Sequence, residues 1–244
     1  MIKRIATFFA ISIFIVGCGS KQKGKESIMD KENAVISTQF GDIVIEFFDD
    51  IAPKHVESFK LHAQNGYYNG TTFHRVIPGF MIQAGDPNTK DPESDRSLWG
   101  SGDPGYSIRQ EFNTLQHDRG AVSMARGNHI HSAGSQFFIV HNDSNFLDGK
   151  YTVFGRLVPG THSLTGLDRI ASIQTDARNA PIAKPGDEID PLFLATIQSM
   201  EVIHPYTATG LGELDRNQSV TKEVEETTGS VLSYQNQLHD VVFQ

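Results

Sequence analysis

The sequence predicts a mainly β protein, a closed eight-stranded antiparallel barrel capped by two α-helices. Three observations lead there. Short runs rich in β-branched and aromatic residues recur between positions 35 and 203, each bounded by Gly, Pro, Asn or Asp. Only two segments repeat their apolar residues at helical spacing. A chain with many strands and few helices must also dispose of sheet edges, and closure into a barrel removes them. Periodicity alone leaves a two-sheet sandwich open as the alternative.

The elements follow in order. Ile36, Thr38 and Phe40 alternate before Gly41-Asp42, and Ile43, Ile45 and Phe47 alternate after it, which describes two strands and a tight turn. Pro53 suits a first helical turn, Val56, Phe59 and Ala63 share one face, and Asn65-Gly66 ends that helix. Strand-like runs then cover Thr72 to Ile77, Phe80 to Ala84, Ala121 to Ala125, Gln136 to Val140, Thr152 to Val158 and Phe193 to Ile203. The second helix falls near His162 to Ile173, with Leu164, Leu167 and Ile170 on one stripe. Asn88 to Ser107 and Gln174 to Pro191 are dense in Asp, Ser, Gly and Pro and read as surface insertions. His204 to Gln244 carries six acidic and two basic side chains, half of the net charge of −8, and reads as an acidic, disordered tail.

Composition bounds the function. A chain of 244 residues, 38% hydrophobic, can fill one core. A net charge of −8 without a concentrated basic face excludes a nucleic-acid binder. One cysteine permits neither an internal disulfide nor a Cys-rich metal site. Lys3 and Arg4 precede an apolar stretch from Ile5 to Val16, which makes a secretory signal too short to span a membrane comfortably. The run Ile15-Val16-Gly17-Cys18 resembles the bacterial lipobox, which implies acylation of Cys18 and its exposure as the first mature residue. The expected organisation is a lipoprotein signal peptide over 1–17, lipidated Cys18 and a flexible tether over 18–33, a folded domain over 34–203 and the tail over 204–244. A monomer held on a bacterial envelope membrane is expected. With Gly19 rather than aspartate after the cysteine, a cell with two membranes would carry it on the outer one, facing the periplasm.

The most informative stretch is Phe73-His74-Arg75-Val76-Ile77-Pro78-Gly79-Phe80-Met81-Ile82-Gln83-Ala84-Gly85-Asp86. Downstream, in order, come Gly120-Ala121-Val122-Ser123-Met124-Ala125, Gly134-Ser135-Gln136-Phe137-Phe138-Ile139 and Phe146-Leu147-Asp148-Gly149-Lys150-Tyr151-Thr152-Val153-Phe154-Gly155. Together they closely resemble the signature of cyclophilins over about residues 35 to 203, with Gly102-Asp103-Pro104-Gly105-Tyr106 up to Glu111-Phe112 similar to bacterial members. The resemblance implies a peptidyl-prolyl cis/trans isomerase acting on X-Pro bonds of proteins folding in the envelope or beyond it, with no cofactor. A binding module that grips proline-containing segments as a chaperone without turnover is the alternative.

The residues make chemical sense on their own. Rotation about an amide crosses roughly 18–20 kcal/mol because resonance makes the C–N bond partly double. At the top of the barrier the proline nitrogen becomes pyramidal and gains a lone pair, so a donor placed against it binds the twisted state better than either planar isomer. Arg75 suits this role because its fork stays charged and also grips a flanking carbonyl. Phe80, Met81, Phe138 and Leu147 suit an apolar pocket for the proline ring, or equally a barrel core, and Gln83 suits a contact to peptide backbone. The resemblance assigns Arg75 as catalyst and Phe80, Met81, Gln83, Ala125, Gln136, Phe138, Phe146, Leu147 and Tyr151 as pocket or peptide contacts. Phe146 stands where many members have Trp, Tyr151 where they have His, and Arg126 where Asn is usual, so tight cyclosporin binding is not implied. His74 reads as a hydrogen-bonded structural histidine, since isomerisation moves no proton. His129 and His131 lack cysteine companions, and no metal is expected. Trp99 reads as a loop anchor.

Overall fold

In the computed structural model, the residues described are 31–91, 93–181 and 195–203. The expected signal peptide, Cys18, most of the expected tether, the rest of the second insertion and the expected tail lie outside them. The alternation at the start becomes β1 (Asn33–Thr38) and β2 (Ile43–Phe47), paired antiparallel from Asn33 with Glu46 to Ile36 with Ile43. The chain continues through α1 (Pro53–Gln64), β3 (Arg75–Ile77), β4 (Met81–Ala84), β5 (Ala121–Met124), β6 (Phe137–Val140), β7 (Thr152–Leu157), α2 (Ser163–Ala171) and β8 (Ile197–Ile203). The strands form one antiparallel sheet in the order β3-β4-β6-β5-β7-β2-β1-β8.

The expected closure fails: the sheet is open, and β3 and β8 do not form a ladder. One isolated bridge, Thr72 with Thr196, and main-chain bonds from Gly70 and Phe73 tie the two edges. The physical reason lies at the edge of β3, where the Val76 N–H donates to the Asn179 carbonyl of the second insertion at 2.8 Å instead of to another strand. The strand expected from Thr72 accordingly begins only at Arg75, and the one expected from Phe193 is described only from Ile197.

α1 has no side-chain cap from Ala52. Glu111, far along the chain, supplies it: its carboxylate accepts the N–H groups of Lys54 (3.2 Å) and His55 (3.0 Å) and lies 2.6 Å from His55 Nδ1. Burial opposes ionisation of Glu111, yet these bonds hold its carboxyl below the usual range. The helix packs Phe59 into the hollow of the sheet, with ring centroids 5.0 Å from Tyr68 and 5.1 Å from Phe137 and Phe154.

The central strands are apolar on both faces. Val76, Ile82, Ala84, Val122, Met124, Phe137 and Ile139 point into the main core beneath α1 and α2. Met81, Ala121, Ala125, Phe138, Val140, Leu147 and Val153 form a separate cluster on the outer face. A sequence such as Phe137-Phe138-Ile139-Val140 is needed for both at once.

Fully buried His62 belongs to a polar cluster in which the Tyr106 hydroxyl lies 2.7 Å from His62 Nε2 and 2.6 Å from Ser58 Oγ. Burial, aided by the charge of Lys90, lowers the pKa of His62 from 6.5 to about 3. The unfolded chain therefore takes up a proton that the folded chain refuses, so the contribution of His62 is complete above pH 6.5 and is lost toward pH 3. The expected slope is up to about 1.4 kcal/mol per pH unit. Urea unfolding of wild type and His62→Asn from pH 7 to 4 should show a steeper acid loss in the wild type by about that amount. Parallel curves would contradict a buried neutral histidine.

Candidate active site

Strand register builds the site. Arg75 on β3 faces Gln83 on β4, and Gln83 faces Phe138 on β6, which faces Ser123 on β5. Directly paired residues share a sheet face, so Arg75, Gln83 and Phe138 stand in one row on the outer face, with Met81 two residues from Gln83 on the same side. Met81, Phe138 and Leu147 thus belong to the outer-face cluster and not to the main core, with Phe80 packed against it.

A chain of directed hydrogen bonds orders the polar part of the row. Arg75 Nη1 donates to Gln83 Oε1 (3.4 Å), Gln83 Nε2 donates to Gln136 Oε1 (3.0 Å), and Gln136 Nε2 donates to the carbonyls of Gly100 (3.1 Å) and Gly102 (2.8 Å). Each amide is thereby fixed in one orientation. The loop that ends the chain is held by fully buried Asp86, whose carboxylate accepts the N–H groups of Asn88 and Gly100. Gly102 has to be glycine, since a Cβ there would lie 2.1 Å from Asp86 Oδ1.

Beside this chain lies an open pocket of about 110 Å³ lined by Arg75, Phe80, Met81, Gln83, Ala125, Arg126, Phe138, Leu147 and Tyr151. The Phe138 ring meets Tyr151 edge-on at 5.6 Å, the Arg126 guanidinium lies 4.8 Å over Tyr151, and Phe146 tilts against Phe80 at 5.4 Å. Phe146 is 62% exposed and meets the pocket only through Phe80. Gln136 lines an adjoining polar pocket of about 290 Å³ that shares Gln83, Ala125 and Arg126 with the first. The residues singled out in the sequence for binding or catalysis therefore line these two pockets, apart from Phe146, which touches Phe80, and Cys18, which is outside the described residues.

The structure adds a brace that no local pattern announced. His117, fully buried, stacks on Phe138 at 6.0 Å with planes 13° apart. Its Nε2 lies 3.1 Å from Ser123 Oγ, and its Nδ1 and main-chain N–H both lie 2.8 Å from Asp148 Oδ1. Asp148 directly follows the short 3-10 turn Asn145–Leu147, so the turn carrying Phe146 and Leu147 is tied to the ring beneath the pocket. The bond from His117 holds the Asp148 carboxyl below the usual range. The Phe146-Leu147-Asp148-Gly149 run was visible in the sequence, but its partner 31 residues earlier was not.

His74 is buried, and burial lowers its pKa, opposed by the charge of Asp86 and by bonds to the Thr72 main chain and the Gln136 side chain. Trp99 is the anchor expected, its indole N–H donating to Ser94 Oγ at 3.1 Å with Arg96 4.8 Å over its ring.

Comparison with known proteins gives one result. The sequence model of the cyclophilin type peptidyl-prolyl cis-trans isomerase/CLD family matches residues 34–189. A Brucella abortus protein named "Probable peptidyl-prolyl cis-trans isomerase" is 39% identical over 200 residues, covering 80% of this chain and 93% of its own. The human peptidylprolyl isomerase domain and WD repeat-containing protein 1 is 39% identical over 176 residues, 71% of this chain and 25% of that protein. A crystal structure of a Cryptosporidium parvum cyclophilin type peptidyl-prolyl cis-trans isomerase, obtained in the presence of the dipeptide Ala-Pro, is 30% identical with a TM-score of 0.58, covering 71% of this chain and 99% of that one.

The brace yields a local prediction. Asp148→Ala removes the acceptor of both His117 N–H groups and should cost about 1–3 kcal/mol in urea unfolding. Amide exchange should quicken over 145–151 while β3 and β4 keep their protection. Equal loss of protection in both regions would mean that Asp148 supports the whole sheet rather than the pocket wall.

Proposed function

The chain belongs to the cyclophilin-type peptidyl-prolyl cis-trans isomerase family, and on that premise we propose that Arg75 is its catalyst and that it works as a lipid-anchored monomer in a bacterial envelope. The observation that carries the first claim is the directed chain from Arg75 through Gln83 to Gln136, set beside a small open pocket that Phe80, Met81, Phe138 and Leu147 also line. Gln83 uses one guanidinium nitrogen of Arg75. The others remain for the pocket that the side chain lines.

The proposed reaction needs no covalent step. A proline ring enters over Phe138, with Met81 and Leu147 beside it and the preceding residue toward Ala125 and Gln136. As the C–N bond twists, resonance fails and the nitrogen lone pair sharpens. The guanidinium donates to it, and its planar fork also holds the carbonyl on the other side of the ring. Because Gln83 and the strand register hold the fork in place beforehand, little reorganisation accompanies the twist, and donation in a site walled by Phe80, Phe138 and Leu147 is stronger than in water. Proline-containing segments as substrates are consistent with the dipeptide present in the Cryptosporidium crystals. Uncatalysed X-Pro exchange takes tens to hundreds of seconds, which makes its acceleration useful to proteins folding outside the cytoplasm.

The envelope address rests on the signal-like residues 1–17 and on Cys18 in its lipobox-like setting. With acyl chains on Cys18 the domain would sit on a membrane facing its clients, the outer membrane in a cell that has two.

Two measurements test these claims. In a protease-coupled assay on a short Xaa-Pro peptide, Arg75→Ala should lower kcat/KM by roughly 10²–10³, as removal of a positioned donor does. Arg75→Lys should stay strongly impaired, and the melting temperature should hold for both. Near wild-type rates in a folded Arg75→Ala would contradict Arg75 as the catalyst, whereas peptide binding with no acceleration by the wild type itself would favour the binding-module reading. Mass spectrometry of the mature amino terminus should find acylated Cys18, with membrane partitioning lost in Cys18→Ser. An unmodified end, or unchanged partitioning in that variant, would remove the anchor.

A further inference from the structure

One histidine outside the pocket is bonded in a way that the reaction does not explain. The link between β3 and β4 is a tight turn, Ile77-Pro78-Gly79-Phe80, closed by the Phe80 N–H donating to the Ile77 carbonyl at 3.0 Å. Pro78 stands second and Gly79 third with φ +76°, the arrangement of a type II turn. Such a turn differs from type I mainly in the orientation of its central peptide, here the Pro78–Gly79 unit, whose N–H points away from the turn and is not bonded within it. Glycine in third place tolerates either state.

His141, just beyond β6, takes that N–H. Its Nδ1 accepts from Gly79 N at 2.8 Å, while its own main-chain N–H donates to the Phe80 carbonyl at 2.8 Å. A main-chain amide can only donate, so Nδ1 holds a lone pair and the ring hydrogen sits on Nε2, which donates to Asp168 Oδ1 on α2 at 3.0 Å. Arg119 completes the set, with Nη2 2.7 Å from the same Asp168 oxygen and Nη1 2.7 Å from the His141 carbonyl. The imidazole lies at the surface with its side chain 20% exposed, and it belongs to neither apolar cluster. Its two ring bonds run to the turn and to α2.

We propose that His141 is a positioning residue that latches the Pro78–Gly79 peptide in one orientation and so holds Phe80 in the wall of the substrate pocket. Phe80 follows the latched peptide directly, and its ring lines the pocket and packs against Phe146. Without the acceptor, the central peptide is free to flip, and only a fraction of molecules present the pocket wall in binding-competent form. Apparent affinity falls by that fraction. The wall touches the proline ring in planar and twisted states alike, so the loss appears in KM and not in kcat.

This inference rests on the isomerase reading, and its test separates the two. Kinetics on a short Xaa-Pro peptide should give His141→Ala a KM raised about three- to tenfold, the effect of one hydrogen bond, with kcat within about twofold. His141→Asn should recover most of the affinity, because Asn Oδ1 occupies nearly the place of Nδ1 and still accepts from Gly79. Peptide affinity from NMR titration carries the same comparison without turnover, so it judges the latch even if Arg75 proves not to be the catalyst. Wild-type affinity in His141→Ala, or an Asn variant as weak as the Ala variant, would overturn the latch.

Discussion

The alignment of β3, β4 and β6 is the constraint on which the site depends. It sets Arg75 opposite Gln83 and Gln83 opposite Phe138, so a cation, an amide and an aromatic floor share one face without any loop having to be ordered. A slip of one residue would send Arg75 and Phe138 into the core beneath Phe59 and turn Val76 and Phe137 outward. The inner face guards against this, since Val76, Ile82, Phe137 and Ile139 are buried with Phe59 among them. Register set by core burial thus becomes the geometry of the proposed site on the opposite face.

The same economy explains how a reaction without acid, base or nucleophile is carried. Twisting an amide shifts little charge, so what helps is a donor already aimed at the nitrogen in a pocket that excludes water. Arg75 is held through Gln83 and Gln136 by the Gly100 and Gly102 carbonyls, and those by buried Asp86. From the other side, Asp148 and His117 fix the ring of Phe138 and the turn bearing Leu147. Gln83 and Gln136 are uncharged amides, and the pocket presents two guanidinium groups, those of Arg75 and Arg126.

Much of this was legible in the residues. The alternating runs located the strands, and Pro53 with the stripe of Val56, Phe59 and Ala63 located α1, because these features report local geometry and burial. The motif around Arg75 supplied Phe80, Met81 and Gln83, and the three later motifs supplied Ala125, Phe138, Leu147 and Tyr151. What remained hidden is long-range. Closure of the barrel was expected, but Asn179, in an insertion with no strand pattern, takes the free amide of Val76. The cap of α1 comes from Glu111, and the partner of Asp148 is His117, pairings that no spacing rule encodes.

The most direct measurement is NMR of the wild-type protein with an isotope-labelled Xaa-Pro peptide, combining exchange spectroscopy on the peptide with intermolecular contacts to the protein. Catalytic amounts of protein should produce cis–trans exchange peaks absent without it, and the proline ring protons should contact Phe138, Met81 and Leu147 in both isomers, with the Arg75 side chain shifting alongside. Binding without exchange peaks, or proline contacts confined to the polar pocket bordered by Gly100, Ser132 and Gln136, would contradict the account.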